Sequence, residues 1–417
     1  MANILIIVPP LTGHINPTVS LGQALIDRGH QVGWIGFESA LKKSLPEGRT
    51  LHPLNISSSD EEGRHADLLS QRERRGFAGL HFLWERFLIP LAHQTFAEVA
   101  HLLTQLQPDL CIVDQQMLAG ALACDALNIP FLTSSTTSAS VLDALPELPQ
   151  VAEWTTGLLK NLWNALQVPL PARAQLDLSS LGVLVFSSER LVKASRPDLA
   201  LPSHLIFVGP ALEGQRASIP FDWSRLNPSQ QKLFFSMGTV NAERSESLYR
   251  RLIEALCDSD IQVIAAAPPE HFVDAPAHWI ISERVPQLEL LPHVNAVFCH
   301  GGHNTTLEAL AFGLPLVIAP IRDDQPVIAE QVKAVNAGIR VHFQRAKPLQ
   351  LRQVIERVLN DSTLKEAALA LRAEIIGADH HSLDIRRLPD ELGGFRGAAF
   401  IEKTLVALTM SEEAVNP

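Results

Sequence analysis

The chain has 417 residues, room for two or three domains at about 150 residues each. Hydrophobic residues make up 46% of it, enough for packed cores and too much for a disordered chain. Lys and Arg number 34 against 45 Asp and Glu, a net charge of −11 that argues against nucleic acid or an anionic membrane as the main partner, so any anionic ligand must be held by a local device.

The opening run Ile4 to Val8 predicts a strand, and the loop Pro9 to Asn16 follows it. Pro17 suits a first helical turn, with Asn16 as its N-cap and Gly29 past its end. Gln31 to Phe37 predicts the next strand, which completes a βαβ unit. Apolar runs buried on both faces imply a parallel sheet. The segment Phe77 to Leu106 is long, apolar and aromatic and predicts helices covering one side of this half. Leu110 to Asp114, the run before Thr133, the strand after Gly182 and Leu205 to Pro210 continue the pattern. Residues 211–229 mix Gly, Pro, Ser and charge without a period and read as a linker. The pattern then restarts with Leu233 to Thr239, a helix over Ser247 to Leu256, and strands at Gln262, Ala296 and Leu314. The fold class is therefore α/β, with a doubly wound parallel sheet in each half.

Cys111, Cys124, Cys257 and Cys299 form no CxxC pair, and each lies in an apolar stretch. They read as small buried hydrophobes of a reducing, cytoplasmic compartment. The start MANILIIVPP lacks a basic region, so no signal peptide is expected. No window offers the roughly 18 uninterrupted apolar residues of a membrane span.

His300 to Glu308 is the most informative stretch. A buried strand ends there in His300-Gly301-Gly302, and Asn304, Thr305 or Thr306 can cap the helix that follows. Amides at a helix start, with the helix dipole, bind an anion without many Lys or Arg. Glu308 lies one turn deeper, on the face of Asn304, in reach of ribose hydroxyls. Asp324 and Gln325, after the strand that ends at Pro320, suit vicinal hydroxyls of a sugar. Ser236, Gly238 and Thr239 follow another strand and can reach a diphosphate, and the loop at Pro286 and Gln287 suits a flat base. In the first half, His14 in a tight loop is a candidate general base, and Asp114 at a neighbouring strand end is the carboxylate to orient it. No HExxH motif or acidic cluster marks a metal site.

These residues together resemble family 1 glycosyltransferases, the UDP-glycosyltransferase superfamily with the GT-B fold. The matches run in order through Gly13-His14-Ile15-Asn16-Pro17, Val208-Gly209-Pro210, Phe235-Ser236-Met237-Gly238-Thr239, Val285-Pro286-Gln287, His300 to Thr305, Glu308 and Asp324-Gln325. The chain is most similar to the bacterial macrolide and zeaxanthin glycosyltransferase branch. The resemblance implies two Rossmann-like domains facing across a cleft: an acceptor domain over residues 1–210, the linker 211–229, a nucleotide-sugar domain over 230–397 and a C-terminal helix over 398–417 returning to the first. It implies His14 as base and Asp114 as its support. Ser236, Gly238, Thr239, Val285, Gln287, His300, Gly302, Asn304, Thr305 and Glu308 are expected to hold the nucleotide, and Asp324 and Gln325 the sugar. The expected reaction is inverting, needs neither metal nor other cofactor, and moves a hexose, glucose, from a UDP-sugar in preference to a dTDP-sugar onto a hydroxyl of a hydrophobic small molecule. Residues 377–397 depart from the compact ending of such enzymes and read as an insertion. Two other readings share the architecture: a nucleotide-sugar epimerase, which needs no acceptor base, and a non-catalytic partner protein, which has no need of His14, Glu308 or the Asp324-Gln325 pair.

Overall fold

A computed structural model describes residues 1–55, 77–137, 149–198, 200–212, 219–238, 245–322, 324–376 and 392–415. Among the described residues thirteen strands form two sheets. The first is ordered β3-β2-β1-β4-β5-β6-β7, from β1 (Asn3–Ile7), β2 (Gln31–Gly36), β3 (Thr50–Pro53), β4 (Leu110–Asp114), β5 (Phe131–Ser135), β6 (Val183–Val185) and β7 (Leu205–Phe207). The second is ordered β10-β9-β8-β11-β12-β13, from β8 (Lys232–Ser236), β9 (Gln262–Ala266), β10 (Ile280–Ser282), β11 (Ala296–Cys299), β12 (Leu316–Ile318) and β13 (Gly338–Arg340). Every pairing is parallel.

Strand β1 shows why its run is apolar throughout. Leu5 and Ile7 enter one core with the helices Ile89–Leu106 and Leu118–Leu127. Ile4 and Ile6 enter the opposite core with the helix Thr12–Asp27 and, from the chain's far end, Ala398 and Ile401. Side chains alternate across a strand, so burial on both faces leaves no polar position. Phe82 and Phe87 of the aromatic segment are buried in the first of these cores. In the second sheet Leu233, Phe235 and Phe298 pack with Tyr249 of the helix Glu246–Leu256.

The chain divides into two compact units. One comprises Met1–Ser187, Ala200–Gln215 and Asp390–Pro417, the other Ser188–Leu199 and Arg216–Pro389. The short helix Glu189–Ala194 thus leaves the first half's run of sequence and packs in the second unit, where Ser188 Oγ donates to Glu374 Oε1 at 2.8 Å. The helix Gly393–Val415 packs in the first unit. There Arg28 Nη1 donates to Glu402 Oε2 at 2.5 Å, and the Arg28 guanidinium lies 4.1 Å from the Phe395 ring centre. The insertion read at 377–397 falls largely outside the described residues.

Three local expectations are corrected. The first helix begins at Thr12, not at Pro17, and its N-cap is Leu11 rather than Asn16. Pro17 lies inside it, at the cost of one backbone hydrogen bond, because the amides of His14 and Ile15 already bond the Leu11 carbonyl. His14 therefore stands on a helical turn, not in a loop. The helix after β11 is capped by Gly302, not by Asn304, Thr305 or Thr306. Cys257 is exposed at a helix end, whereas Cys111, Cys124 and Cys299 are buried. Among the described residues no helix is long and apolar enough to cross a membrane.

The first helix touches the sheet closely at Gly22. A Cβ there would fall 2.3 Å from Trp34 Cζ2 and 2.4 Å from Cη2. Alanine gains about 1 kcal/mol over glycine in an open helix. Overpacking against a fully buried Trp34, whose Nε1 is held at 3.0 Å by Thr18, costs about 1–3 kcal/mol. Gly22→Ala is expected to lower the thermal midpoint, by about 2–4 °C per kcal/mol lost. A calorimetric scan of the full chain checks the sign.

Candidate functional site

In the first sheet the strand order reverses between β1 and β4. Their register pairs Ile7 with Val113, so the residues that follow β1 and the last residue of β4 emerge together at the carboxyl edge. Such a reversal opens a crevice between connections that leave to opposite faces. His14 and Asp114 meet there. His14 Nδ1 lies 3.0 Å from both Asp114 carboxylate oxygens. Asp114 is 1% exposed and His14 16%. The carboxylate also accepts the Gln116 amide at 2.8 Å, which fixes its plane. A carboxylate only accepts, so Nδ1 carries the proton and the lone pair belongs to Nε2. A third group completes the arrangement: Thr136, just past β5, places its hydroxyl 2.9 Å from the same Nδ1 and is itself buried.

In the second sheet the order reverses between β8 and β11. Ser236 ending β8 and Cys299 ending β11 are register partners, and Cys299 pairs with Ile318 of β12. This brings Ser236-Gly238, His300-Gly302 and the loop Pro320 to Gln325 to one edge. Thr239 lies outside the described residues. Gly302 caps the helix His303–Ala311 by backbone geometry alone, with no side-chain hydrogen bond. Asn304 and Thr305 stand half-buried in its first turn, and Glu308 is buried one turn on.

Gln287 opens the short helix Gln287–Leu290, and its Nε2 donates to Glu308 Oε2. Val285 beside it is buried. Two residues assigned separately, to a base and to a ribose, therefore touch. Gln325 opens the helix Gln325–Ala334, with Asp324 at its N-cap. Gln325 Oε1 accepts the amides of Ile321 at 2.9 Å and Arg322 at 3.1 Å. Its carbonyl is committed to holding the loop. The sequence reading missed Thr136, the Gln287–Glu308 contact and Arg322. The signals available were positional: Thr136 follows β5 of the first sheet, and Gln287 and Arg322 follow β10 and β12 of the second.

His300 is clamped between two glycines. A Cβ on Gly238 would meet its Cε1 at 2.8 Å, and one on Gly302 its Nε2 at 2.5 Å. Gly238 also takes φ +74°, the left-handed region. Burial pushes the His300 pKa down to about 4, and the Arg322 charge pushes the same way, against a hydrogen bond with the Ser236 backbone. Its Nδ1 has no hydrogen-bond partner among the described residues. His300 is therefore a neutral imidazole at neutral pH. Among the described residues no group of three or more His, Cys, Asp or Glu is gathered to hold a metal ion.

A neutral buried histidine leaves a pH signature. The folded pKa is about 4 and the ordinary value 6.5, so between these the unfolded chain binds more protons. His300 therefore withdraws stability as pH falls from about 6.5 towards 4. The thermal midpoint of His300→Gln should fall less steeply across this window than that of the unmodified protein. Parallel slopes would show that His300 takes up its proton as readily folded as unfolded.

Comparison with known proteins adds to this geometry. The family model "Erythromycin biosynthesis protein CIII-like, C-terminal domain" matches residues 250–382. "Uncharacterized UDP-glucosyltransferase YojK" of Bacillus subtilis (strain 168) is 26% identical over 383 residues, covering 88% of this chain and 92% of that protein. "Zeaxanthin glucosyltransferase" of Pseudescherichia vulneris is 26% identical over 407 residues, covering 90% and 94%. The solved glycotransferase of kitacinnamycin superposes with a TM-score of 0.75 at 20% identity, covering 97% of this chain and 99% of that one, a likeness of fold. Two doubly wound parallel sheets, a match to that C-terminal domain model and near full-length similarity to named glycosyltransferases support a family 1 glycosyltransferase of GT-B fold.

Proposed function

We propose that the protein is an inverting, metal-independent glucosyltransferase that uses a UDP-sugar and a hydrophobic hydroxyl-bearing acceptor, with His14 as general base. The observation that carries the reading is the His14–Asp114 pair, Nδ1 against carboxylate at 3.0 Å, at the strand reversal of the first unit. Fixing the proton on Nδ1 gives Nε2 the lone pair that an acceptor hydroxyl needs. The acceptor oxygen forms its bond to the anomeric carbon from the face opposite the leaving group. Its proton passes to Nε2, and the electron pair of the broken bond leaves on the β-phosphate. Asp114 stabilises the imidazolium so formed.

The second unit supplies the donor side of this reading. The start of the helix His303–Ala311, whose Gly302 N-cap brings no side chain, would take the diphosphate with His300, Ser236 and Thr239. Gln287 would pack under the base and present Glu308 to the ribose, Val285 closing the other side. Asp324 would accept, and the Gln325 amide donate, at the sugar hydroxyls. Donors aimed at the leaving oxygen do the work a divalent ion does elsewhere, which is the ground for proposing no metal. The name of the Bacillus relative supports uracil and glucose, and that of the zeaxanthin enzyme supports an apolar acceptor. An epimerase has no acceptor to deprotonate and gives the His14–Asp114 pair nothing to do. Buried unpaired cysteines fit a cytoplasmic setting.

The test is ligand stabilisation beside turnover. UDP at about 100 times its dissociation constant should add about 2.7 kcal/mol to the stability of the unit that binds it, and dTDP less at the same concentration. His14→Ala should keep the UDP response and lose transfer to a screened panel of apolar alcohols and phenols. A matched loss of both would remove His14 from the role of base. A response to dTDP alone would reassign the donor.

A further inference from the structure

The site set out under the proposed function has an electrostatic shortfall. A nucleoside diphosphate leaves with one more negative charge than it carried as a sugar ester. The protein as a whole is acidic, at −11. A helix start offers the equivalent of about half a positive charge. His300, desolvated between Gly238 and Gly302, is a neutral donor.

Arg322 lies on the loop that follows β12, at the sheet edge that also carries His300. Its backbone amide is tied at 3.1 Å to Gln325 Oε1, so the loop that carries it is held. That loop is packed on the glycine turn: a Cβ on Gly301 would lie 3.2 Å from the Gln325 carbonyl and 2.9 Å from Ile318. Arg322 is half-buried, its Nε and Nη1 are shielded from solvent, and its charge acts on the His300 ring. His300 in turn keeps a buried Nδ1 without a hydrogen-bond partner among the described residues. A cation and an unsatisfied imidazole nitrogen thus share one edge with the helix start.

We infer that Arg322 is a further catalytic residue, a guanidinium that binds the β-phosphate of the nucleotide beside His300 and takes up the charge that develops as the glycosidic phosphate bond breaks. The inference rests on the nucleotide-sugar reading above. A guanidinium matches the oxygens of a phosphate in pairs and keeps its charge when partly dehydrated. The electron pair of the broken carbon–oxygen bond settles on an oxygen that Arg322 faces, so its hydrogen bonds strengthen in the transition state and raise kcat.

The experiment measures UDP, UDP-glucose and UDP-glucuronate binding by titration calorimetry on the full chain, with steady-state transfer alongside. Arg322→Gln should bind all three at least 10-fold more weakly and lose on the order of 100-fold in kcat. Arg322→Lys should recover part of the binding, and millimolar guanidinium should partly restore transfer by Arg322→Ala, which a merely structural role would not allow. The thermal midpoints of the unliganded variants report whether they fold. Equal UDP binding by the unmodified protein and Arg322→Gln overturns the inference and leaves the nucleotide site standing. A loss confined to UDP-glucuronate also overturns it, by moving the guanidinium to a sugar carboxylate. Absence of UDP and dTDP binding by the unmodified protein removes the nucleotide reading and this inference with it.

Discussion

Where a parallel sheet reverses its strand order, the two connections that start there leave to opposite faces, and the backbone edge between them is left uncovered. Both sheets of this protein do so once, between β1 and β4 and between β8 and β11. The first reversal sets a helical turn bearing His14 beside the end of a strand bearing Asp114. The second sets two glycine turns side by side, with the His300 ring between them. Neither constellation needs a loop of special length. Register alone delivers the partners, because parallel strands that begin level also end level.

The two crevices solve opposite electrostatic tasks. In the first, a nearly inaccessible carboxylate holds a histidine in one orientation, with a backbone amide and the Thr136 hydroxyl beside the pair. In the second, burial holds a histidine neutral. Under the proposed reading an acidic chain would hold an anion with backbone dipoles, a neutral ring and the Arg322 guanidinium, rather than with a basic surface.

What the amino-acid sequence revealed follows from how local each signal is. The strands are legible because their apolar runs answer to burial on both faces, a property of each run alone. His14 and Asp114 were paired in advance only by recognising that both follow strands of one parallel sheet. The start of the first helix was misplaced because proline's preference for a first turn is statistical, and Pro17 lies deeper, where its missing amide costs one bond. Thr136, Arg322 and the Gln287–Glu308 contact were missed for another reason. They are common residue types, and what makes them notable is a neighbour brought close by the fold: 122 positions away for Thr136 and His14, and 21 for Gln287 and Glu308. The departure of Ser188–Leu199 into the second unit likewise shows only in the side chains it meets, such as Glu374.

The helix Gly393–Val415, packed against the first helix through Arg28, Glu402 and Phe395, sets an order on assembly. Domains generally fold as they are synthesised, the earlier one first. Here the second unit is almost one unbroken stretch, Arg216–Pro389, whereas the first waits for residues made after it. On the ribosome the face of β1 that carries Ile4 and Ile6 lacks Ala398 and Ile401 until the whole of the second unit has been made. The later unit can therefore be complete while the earlier one is still a sheet with an uncovered side.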